Sequence, residues 1–596
     1  MKFPTLNEVT RYREMTSAFG GYNHQLSCQD GQFYDMKNMT SNYYPILSPR
    51  DKRGYVYQMY KPQGIIDKED LIWIDEGFIF KNGRIVTPTN LTLESSEKMM
   101  VKMGAYIVIF PDKVWWNVET DEFGYMENKN VIEGAESVVD FSICDGSGAA
   151  VTWHDEAYYQ KIKPQNGDYM MSTMNGKSVL KVYSASTSLW GAVATTYIKI
   201  ASKGIGKGFE LGDGIKITVD LKGADWDYAS NIFVNDEGDG MRSTNTYISD
   251  KGDDYITIIG LLDKNVGYSN MKVIVERKVP DMAFITECNN RLWGCSEDGH
   301  EIYCCKLGDV KNWNCFMGIS TDSWAVTIGS DGKFTGATTY LGYPMFFKED
   351  CFIKIAISAT GGHQIKETRC RGVQKGSGKS LAILNETLYY KSTTGICSYS
   401  GSLPSGISES FGDVRYENAV GGAIGNRYYV SMSDKEGKYS LFVYDQKTGI
   451  WSKEDDTEVL FFCQHEDDLY FIDAKDNYMK SVRGTLPIGT LDRKLEGKFP
   501  WMVESGDIGY SMVDNKYISR INVRVALDFG TNADFYIMYD SSGIWEHKFN
   551  MSGKGTRSFT VPVIPKRCDH FKYKLVGKGG CKIYSITKTI EQGSDI

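Results

Sequence analysis

The sequence predicts an all-β protein: a β-propeller with an inserted small β-domain and a C-terminal β-sandwich. Three observations carry that expectation. Composition is the first: 61 Gly, 38 Tyr, 27 Phe and 12 Trp stand against only 14 Pro in 596 residues. Aromatic and β-branched runs broken by glycine favour strands and turns, and long apolar runs of three- or four-residue period are hard to find. The second is the recurrence of paired short runs across Asn-Gly, Asp-Gly or Glu-Gly turns, the local signature of hairpins. The third is the stretch 281–316, DMAFITECNNRLWGCSEDGHEIYCCKLGDVKNWNCF. It reads as three short strands separated by Asn289-Asn290 and Glu297-Asp298-Gly299, a meander unit of a propeller or a related all-β repeat.

The remaining elements follow in chain order. Residues 1–53 form a polar N-terminal arm and first strands. Residues 54–196 are the first part of the propeller: DLIWIDEGFIFKNGRIV, then MGAYIVIFPDKVWWNVETDEFGYME, then the looser VVDFSICDGSGAAVTWHD. The grammar changes over 197–280, where YIKIASKGIGKGFELGDGIKITVDL and MKVIVERKVP suggest an inserted β-module. Hairpins of the first kind resume over 281–498, the second part of the propeller, and YSLFVYDQKTGIWSKED has the look of a blade ending. From 499 to 596 the strands lengthen. Ile521, Val523 and Val525 alternate with Arg520, Asn522 and Arg524, as in a sandwich with one wet face.

Size and charge bound the function. A chain this long holds about three or four folding units. The formal net charge of −9 disfavours specific wrapping of nucleic acid, which needs a basic footprint, yet suits a passive conduit whose mildly acidic wall repels phosphates. No apolar run approaches the roughly 20 residues of a membrane span, and MKFPTLNEVTRYREM has no secretory apolar core. The 13 cysteines have no regular spacing. The group Cys288, Cys295, Cys304, Cys305 and Cys315 lacks paired C-x-x-C hooks, so buried thiols in a reducing compartment are expected.

No motif points to chemistry, so no catalytic, cofactor or metal residue is assigned. The seven histidines show no metal-ligand spacing. Asp569-His570 suggests a dyad, but neighbours on a strand point to opposite faces, so a satisfied sheet-edge histidine is expected. Gly204, Gly206 and Gly208 in KGIGKGF lack the Gly-Lys-Ser/Thr ending of a phosphate loop. Asn235, Glu237, Asp239 and Gly240 echo the start of a calcium loop, but Thr246 stands where a bidentate Glu belongs. Glu466-Asp467-Asp468 is a second acidic cluster, read as a solvated turn. SEDGHEIY, GSDGKFTG and DSSGIWE share only an Asp/Ser-Gly turn with sialidase-like repeats.

Two segments resemble a family. Phe19, Gly20, Gly21, Asn23, Asp30, Gly31, Asn38, Met39, Pro45, Leu47, Pro49, Arg50 and Arg53 stand where an "F-x-G-G-x-N … D-G … N-M … P-x-L-x-P-R-x-x-R" opening has them, with one residue fewer after Phe19. The "NRLWG … IY … LGD … NW" segment over 290–313 is the other, and residues 499–596 resemble the jelly-roll-like C-terminal module of some phage tail proteins. Together they resemble the tail nozzle, or stabilisation, proteins of short-tailed, podovirus-like phages. The resemblance implies a non-enzymatic virion structural protein of the bacteriophage tail, assembled in the host cytoplasm. It further implies a homo-oligomeric ring, a hexamer or larger, below portal and adaptor. Such a ring contacts other tail proteins, meets genomic DNA passively during DNA ejection and helps close its channel. The rival expectation is a glycan-binding or glycan-cleaving propeller that recognises a receptor, which requires a groove with two facing carboxylates beside exposed aromatics. A cellular propeller scaffold is the third.

Overall fold

The computed structural model describes residues 10–134, 137–174, 176–220, 232–358, 362–484, 494–509 and 512–593; the first nine residues of the expected arm lie outside them. Among the described residues the chain is almost wholly β, with one short α-helix at Glu156–Tyr159.

Seven small antiparallel sheets form the propeller. Blades 1 and 2 occupy 62–85 and 99–125; blades 3 to 6 occupy 284–327, 336–369, 382–406 and 416–453. Blade 7 is built from Val459–His465, Asp468–Asp473 and Tyr478–Ser481, and its fourth strand comes from the other end of the chain, Gly54–Gln58. The first strand of each blade is the innermost. Pro62–Lys68 touches Met99–Met103, which touches Phe284–Glu287, and so round to Val459–His465, which returns to Pro62–Lys68. Between blades 4 and 6 the cycle passes through the 3-10 turn Gly378–Ser380. Each interface is filled by side chains from adjoining blades. Trp73 and Tyr470 share one core cluster, Trp116 and Ile72 another, and Trp293 and Phe346 a third.

The expected strands of the 281–316 unit appear at Phe284–Glu287, Leu292–Cys295 and Glu301–Cys304. Asn289 and Asn290 both adopt positive φ (54° and 57°), the requirement of a two-residue hairpin turn that Asn meets better than most residues.

Strand pairing moves two of the expected boundaries. The inserted module is larger than 197–280 and the first propeller segment correspondingly ends near 125. Val138–Cys144 is bonded to Tyr197–Ala201 and to Val266–Ser269, while Asn128–Ile132 pairs with Val273–Arg277. Residues 128–196, expected in the propeller, therefore help build the module's nine-stranded sheet and an adjoining four-stranded one. The module has its own core around Phe141, Ile200, Ile217, Phe233 and Val275.

Nor is the N-terminal arm separate. Arg11–Thr16, Met39–Tyr43 and Ile46–Pro49 join one sheet of the C-terminal sandwich, with Lys516–Leu527, Gly555–Val561 and Cys581–Gln592. Gly21–Tyr22 and Gln32–Lys37 join the other, with Pro500–Ser505, Asn532–Tyr539, Glu546–Ser552 and Phe571–Lys578. Ile521, Val523 and Val525 face its core as the alternation predicts. That core runs unbroken into blades 5 and 6, through Phe19, Tyr22, Tyr389, Phe411, Phe442 and Trp451. Gly21 sits at φ +73° with Trp451 O only 2.3 Å from where a Cβ would stand, so the second glycine of the opening motif is demanded by close approach to blade 6.

The sandwich thus docks on the outermost strand of blade 6, Ile450–Lys453, whereas the inserted module leaves the disc between blades 2 and 3. Three blades separate the two on either side: 7, 1 and 2 one way, 5, 4 and 3 the other. They project from opposite rims.

Candidate functional site: the sandwich–propeller seam and the propeller axis

Where the chain passes from sandwich to propeller, the R-x-x-R pair of the opening motif forms a buried ionic clasp. Arg50 and Arg53 are 7% and 5% exposed. Arg50 holds Glu496 with both terminal nitrogens (2.6 and 2.9 Å) and donates Nε–H to Asn38 Oδ1 at 2.8 Å. Arg53 donates to Glu454 and Asp455, each at 2.8 Å. The guanidinium planes lie over the rings of Phe499 (4.1 Å) and Phe471 (5.1 Å). Two cations thus answer three carboxylates from chain segments some 400 residues apart. Burial by itself would raise the Asp455 pKa, but Arg53 and Arg50 override it and hold the group at about 2. Glu496 is likewise pulled below its usual value against burial, chiefly by its bonds to Arg50. Multidentate, charge-assisted bonds of this kind fix an orientation as well as a distance.

At the other centre of interest, the propeller axis, the hole is bridged. Lys379, on the 3-10 turn entering blade 5, reaches Glu97 before blade 2 at 2.8 Å and Leu460 O of blade 7 at 3.2 Å, with its Nζ 4.3 Å over the Phe461 ring. Other inner-strand acids are also engaged. Asp67 binds His465 Nδ1 at 2.7 Å, and Glu287 accepts the Asn290 N–H at 2.8 Å.

The motifs singled out from sequence resolve into structure. His570 lies just before the strand Phe571–Lys578, which is central and not at a sheet edge. Against the expectation that the two neighbours point apart, its ring bonds Asp569 Oδ2 through Nδ1 (3.0 Å), because both precede the strand; Nε2 meets Ser541 Oγ at 2.8 Å. Sequence reasoning missed Ser541, which no spacing links to His570. The three groups have the order of a hydrolytic relay, but Ser541 sits at positive φ (48°) on an exposed hairpin turn, pinned by Asp540, whose carboxylate accepts the Asp569 and His570 N–H groups. The glycines of KGIGKGF turn between strands. Asp254 takes the amide of Gly204 and Asp253 O that of Gly206, leaving no open cradle for phosphate. The 235–240 cluster is not a loop: Asn235–Gly238 is a strand paired with Met241–Gly252, in which Glu237 is bound by Lys216 and Ser243, and Asp236 pairs with Arg242. The other acidic cluster departs from the expected solvated turn: Asp468 is 2% exposed and opens the strand Asp468–Asp473, accepting from Ser481 and from the Leu469 and Arg483 amides. Among the described residues no group of three or more His, Cys, Asp or Glu is arranged to hold a metal, and no helix is long and apolar enough to cross a membrane. All thirteen cysteines are free; Cys370 and Cys463 are half-buried and the others buried. Burial pushes the thiols of Cys288 and Cys304 up, to about 11 and about 12.

No family model and no curated protein matches this sequence. Solved structures that resemble it include an exo-β-1,3-galactanase from Phanerochaete chrysosporium with galactose, at 9% identity and a TM-score of 0.19, over 50% of this chain and 92% of that one. Raptor from Chaetomium thermophilum gives 10% and 0.24 over 72% and 29%. A puromycin hydrolase gives 9% and 0.22 over 77% and 61%. Likeness at this level says nothing of activity, and the fold rests on the strand pairing itself.

Proposed function

We propose that this chain is a non-catalytic architectural subunit of a short-tailed phage tail, a nozzle or stabilisation protein that works as a ring of copies. The observation that carries the reading is the arrangement of three stiff bodies. A closed propeller has a module on one rim and a sandwich on the opposite rim, clasped by Arg50 and Arg53 through a continuous core. Such a body is a strut, and a propeller exposes few strand edges. Because the propeller's own axis is crossed by Lys379 and Glu97, a DNA conduit lies between copies and not through one. Ring closure then comes from repeated heterologous contacts, and portal, adaptor and neighbouring tail proteins are the partners.

The glycan-cleaving reading is less well served. It needs two facing carboxylates roughly 5–9.5 Å apart with freedom to exchange protons, whereas Glu97, Asp67 and Glu287 at the inner strands are tied to Lys379, His465 and a backbone amide. The deciding experiment is electron microscopy of the purified chain, alone and with a portal–adaptor complex. Rings of six or more copies are expected, or their formation on the complex. A particle that stays monomeric under both conditions overturns the reading.

A further inference from the structure

We propose that the open groove beside the Arg50 clasp binds an acidic sugar unit, a polyhydroxylated ring carrying one carboxylate such as a uronic or sialic acid. The groove has a volume of about 530 Å³, within the usual range for small-ligand sites. It is independent of the tail reading, being formed by the sandwich and the segment that leads out of it.

Four features define what would fit. Lys52, Lys498 and Lys582 converge on the groove from three separate segments. Two of them are held in place: Lys582 Nζ stands 4.2 Å over the Tyr43 ring, and Lys498 Nζ bonds the carbonyls of Phe529 and Gly530 at 3.0 Å. Arg50 also reaches the wall, but its charge is spent on Glu454, Asp455 and Glu496. Second, Asp51 and Asp528 stand among the lysines. A polyphosphate or nucleic acid would be repelled by them, whereas sugar hydroxyls need acceptors of that kind. Third, Ser48 is 2% exposed, lines the groove and has a hydroxyl with no hydrogen-bond partner. Buried hydroxyls are rarely left unpaired; this oxygen is shut off from solvent, so a ligand hydroxyl or carboxylate completes it only where the groove wall yields. Fourth, Tyr584, with the face of Tyr43 that Lys582 leaves uncovered, offers aromatic surface for the apolar face of a sugar ring, while Gly580 keeps the floor low: a Cβ there would stand 2.0 Å from Asp528 Oδ2.

Saturation-transfer NMR and titration calorimetry on the full chain test this, with glucuronic acid, N-acetylneuraminic acid, glucose and inorganic phosphate as probes. At least one of the two acidic sugars is expected to bind at about millimolar concentration or tighter, and glucose at least about tenfold more weakly. Lys498→Ala and Lys582→Ala should each weaken the acidic sugar severalfold. Lys52→Ala, at an exposed position, and Ser48→Ala provide variants that leave the clasp in place. Absence of transfer from both acidic sugars overturns the proposal. So does phosphate binding as tightly as the sugar acid, which marks a bare anion site, or undiminished binding in all four variants, which places the sugar elsewhere.

Discussion

Arg53 and Asp455 illustrate how a single buried pair can set the relation between two bodies. Replacing Arg53 by Met would leave Glu454 and Asp455 facing each other with only Arg50 nearby, at 3.8 and 3.6 Å. Stranding a buried charge costs roughly 3–5 kcal/mol, so Arg53→Met is expected to lower unfolding free energy by about that amount in denaturant titration. The clasp also has a pH signature. Asp455 is held at about 2 in the folded chain, below its unfolded value near 4. A depressed carboxylate contributes its full stabilisation above the unfolded pKa and loses it as pH falls through the folded one. About 2 kcal/mol should therefore vanish between pH 4 and pH 2, and Asp455→Asn should flatten that part of the curve. Lys391 works in the opposite sense. It is 3% exposed, bonded to Gln374 Oε1 and Ser392 O, and burial lowers its pKa to about 8. Between pH 8 and its unfolded value the unfolded chain binds the extra proton, so stability from this group rises with pH. The stability of Lys391→Met relative to wild type should accordingly fall by about 3 kcal/mol across that window. An unchanged difference would show that Lys391 is solvated. Neither pattern is visible in the sequence. Arg50 and Arg53 are conspicuous there only as part of an opening motif, and their carboxylate partners lie some 400 residues away.

At the scale of elements, the hairpins were legible because their causes are local. Alternating runs and Asn-Asn or Asp-Gly turns act within a few residues, and the 281–316 unit folds as its letters suggest. Closure of the propeller was not legible, because Gly54–Gln58 pairs with Tyr478–Ser481 across more than four hundred positions. For the same reason Val138–Cys144 looked like propeller and proved to be module: its partners decide its membership, and they follow it in the chain. The closing strand gives a sharp test. Tyr57 pairs with Met479 and packs its ring against Trp73 (4.9 Å) and Phe80 (5.8 Å) of blade 1. Proline at 57 removes a ladder donor from a strand with neighbours on both sides. Tyr57→Pro should cost roughly 2–4 kcal/mol and open 54–58 to protease, while Tyr57→Phe should match wild type in both. The Gly206 turn makes a steric counterpart. A Cβ there would lie 2.1 Å from Gly252 O and 2.6 Å from Tyr255 O. Gly206→Ala should therefore lower the thermal midpoint, although a phosphate-loop reading of KGIGKGF would have tied that glycine to ligand affinity instead.

For the molecule as a whole, the inserted module raises the question of whether it is needed for the rest to fold. Its two junctions with the disc lie side by side: Lys113 of blade 2 pairs with Glu127, just before the module, at 2.8 Å, and with Asp281, just after it, at 2.7 Å. The module also holds its own core. Its contacts with the disc gather on one loop of blade 3, where Lys306 reaches Gly212 O, Lys311 pairs with Glu210 and Asn314 donates to Lys278 O, while Val279 at its exit packs in the apolar core between blades 2 and 3. Arg277 and Asp213 form a buried pair inside the module, and Asn312 of blade 3 bonds Asp213 and the Gly214 amide. Replacing 128–278 by a short Gly-Ser linker, which keeps Val279 in the core between blades 2 and 3, should therefore leave the seven blades and the sandwich folded. Some stability should go with the lost contacts at Asn312 and with the newly exposed flank of blade 3. Calorimetry of this variant is expected to show a cooperative transition with an all-β circular dichroism spectrum and intact protection of 54–58 from protease. The expectation rests on closure by Gly54–Gln58 and docking through the blade 6 rim, both on the far side of the disc from the excision. Loss of the cooperative transition would mean that blades 2 and 3 need the module to meet, and that the chain is one continuous body and not three bodies joined in a row.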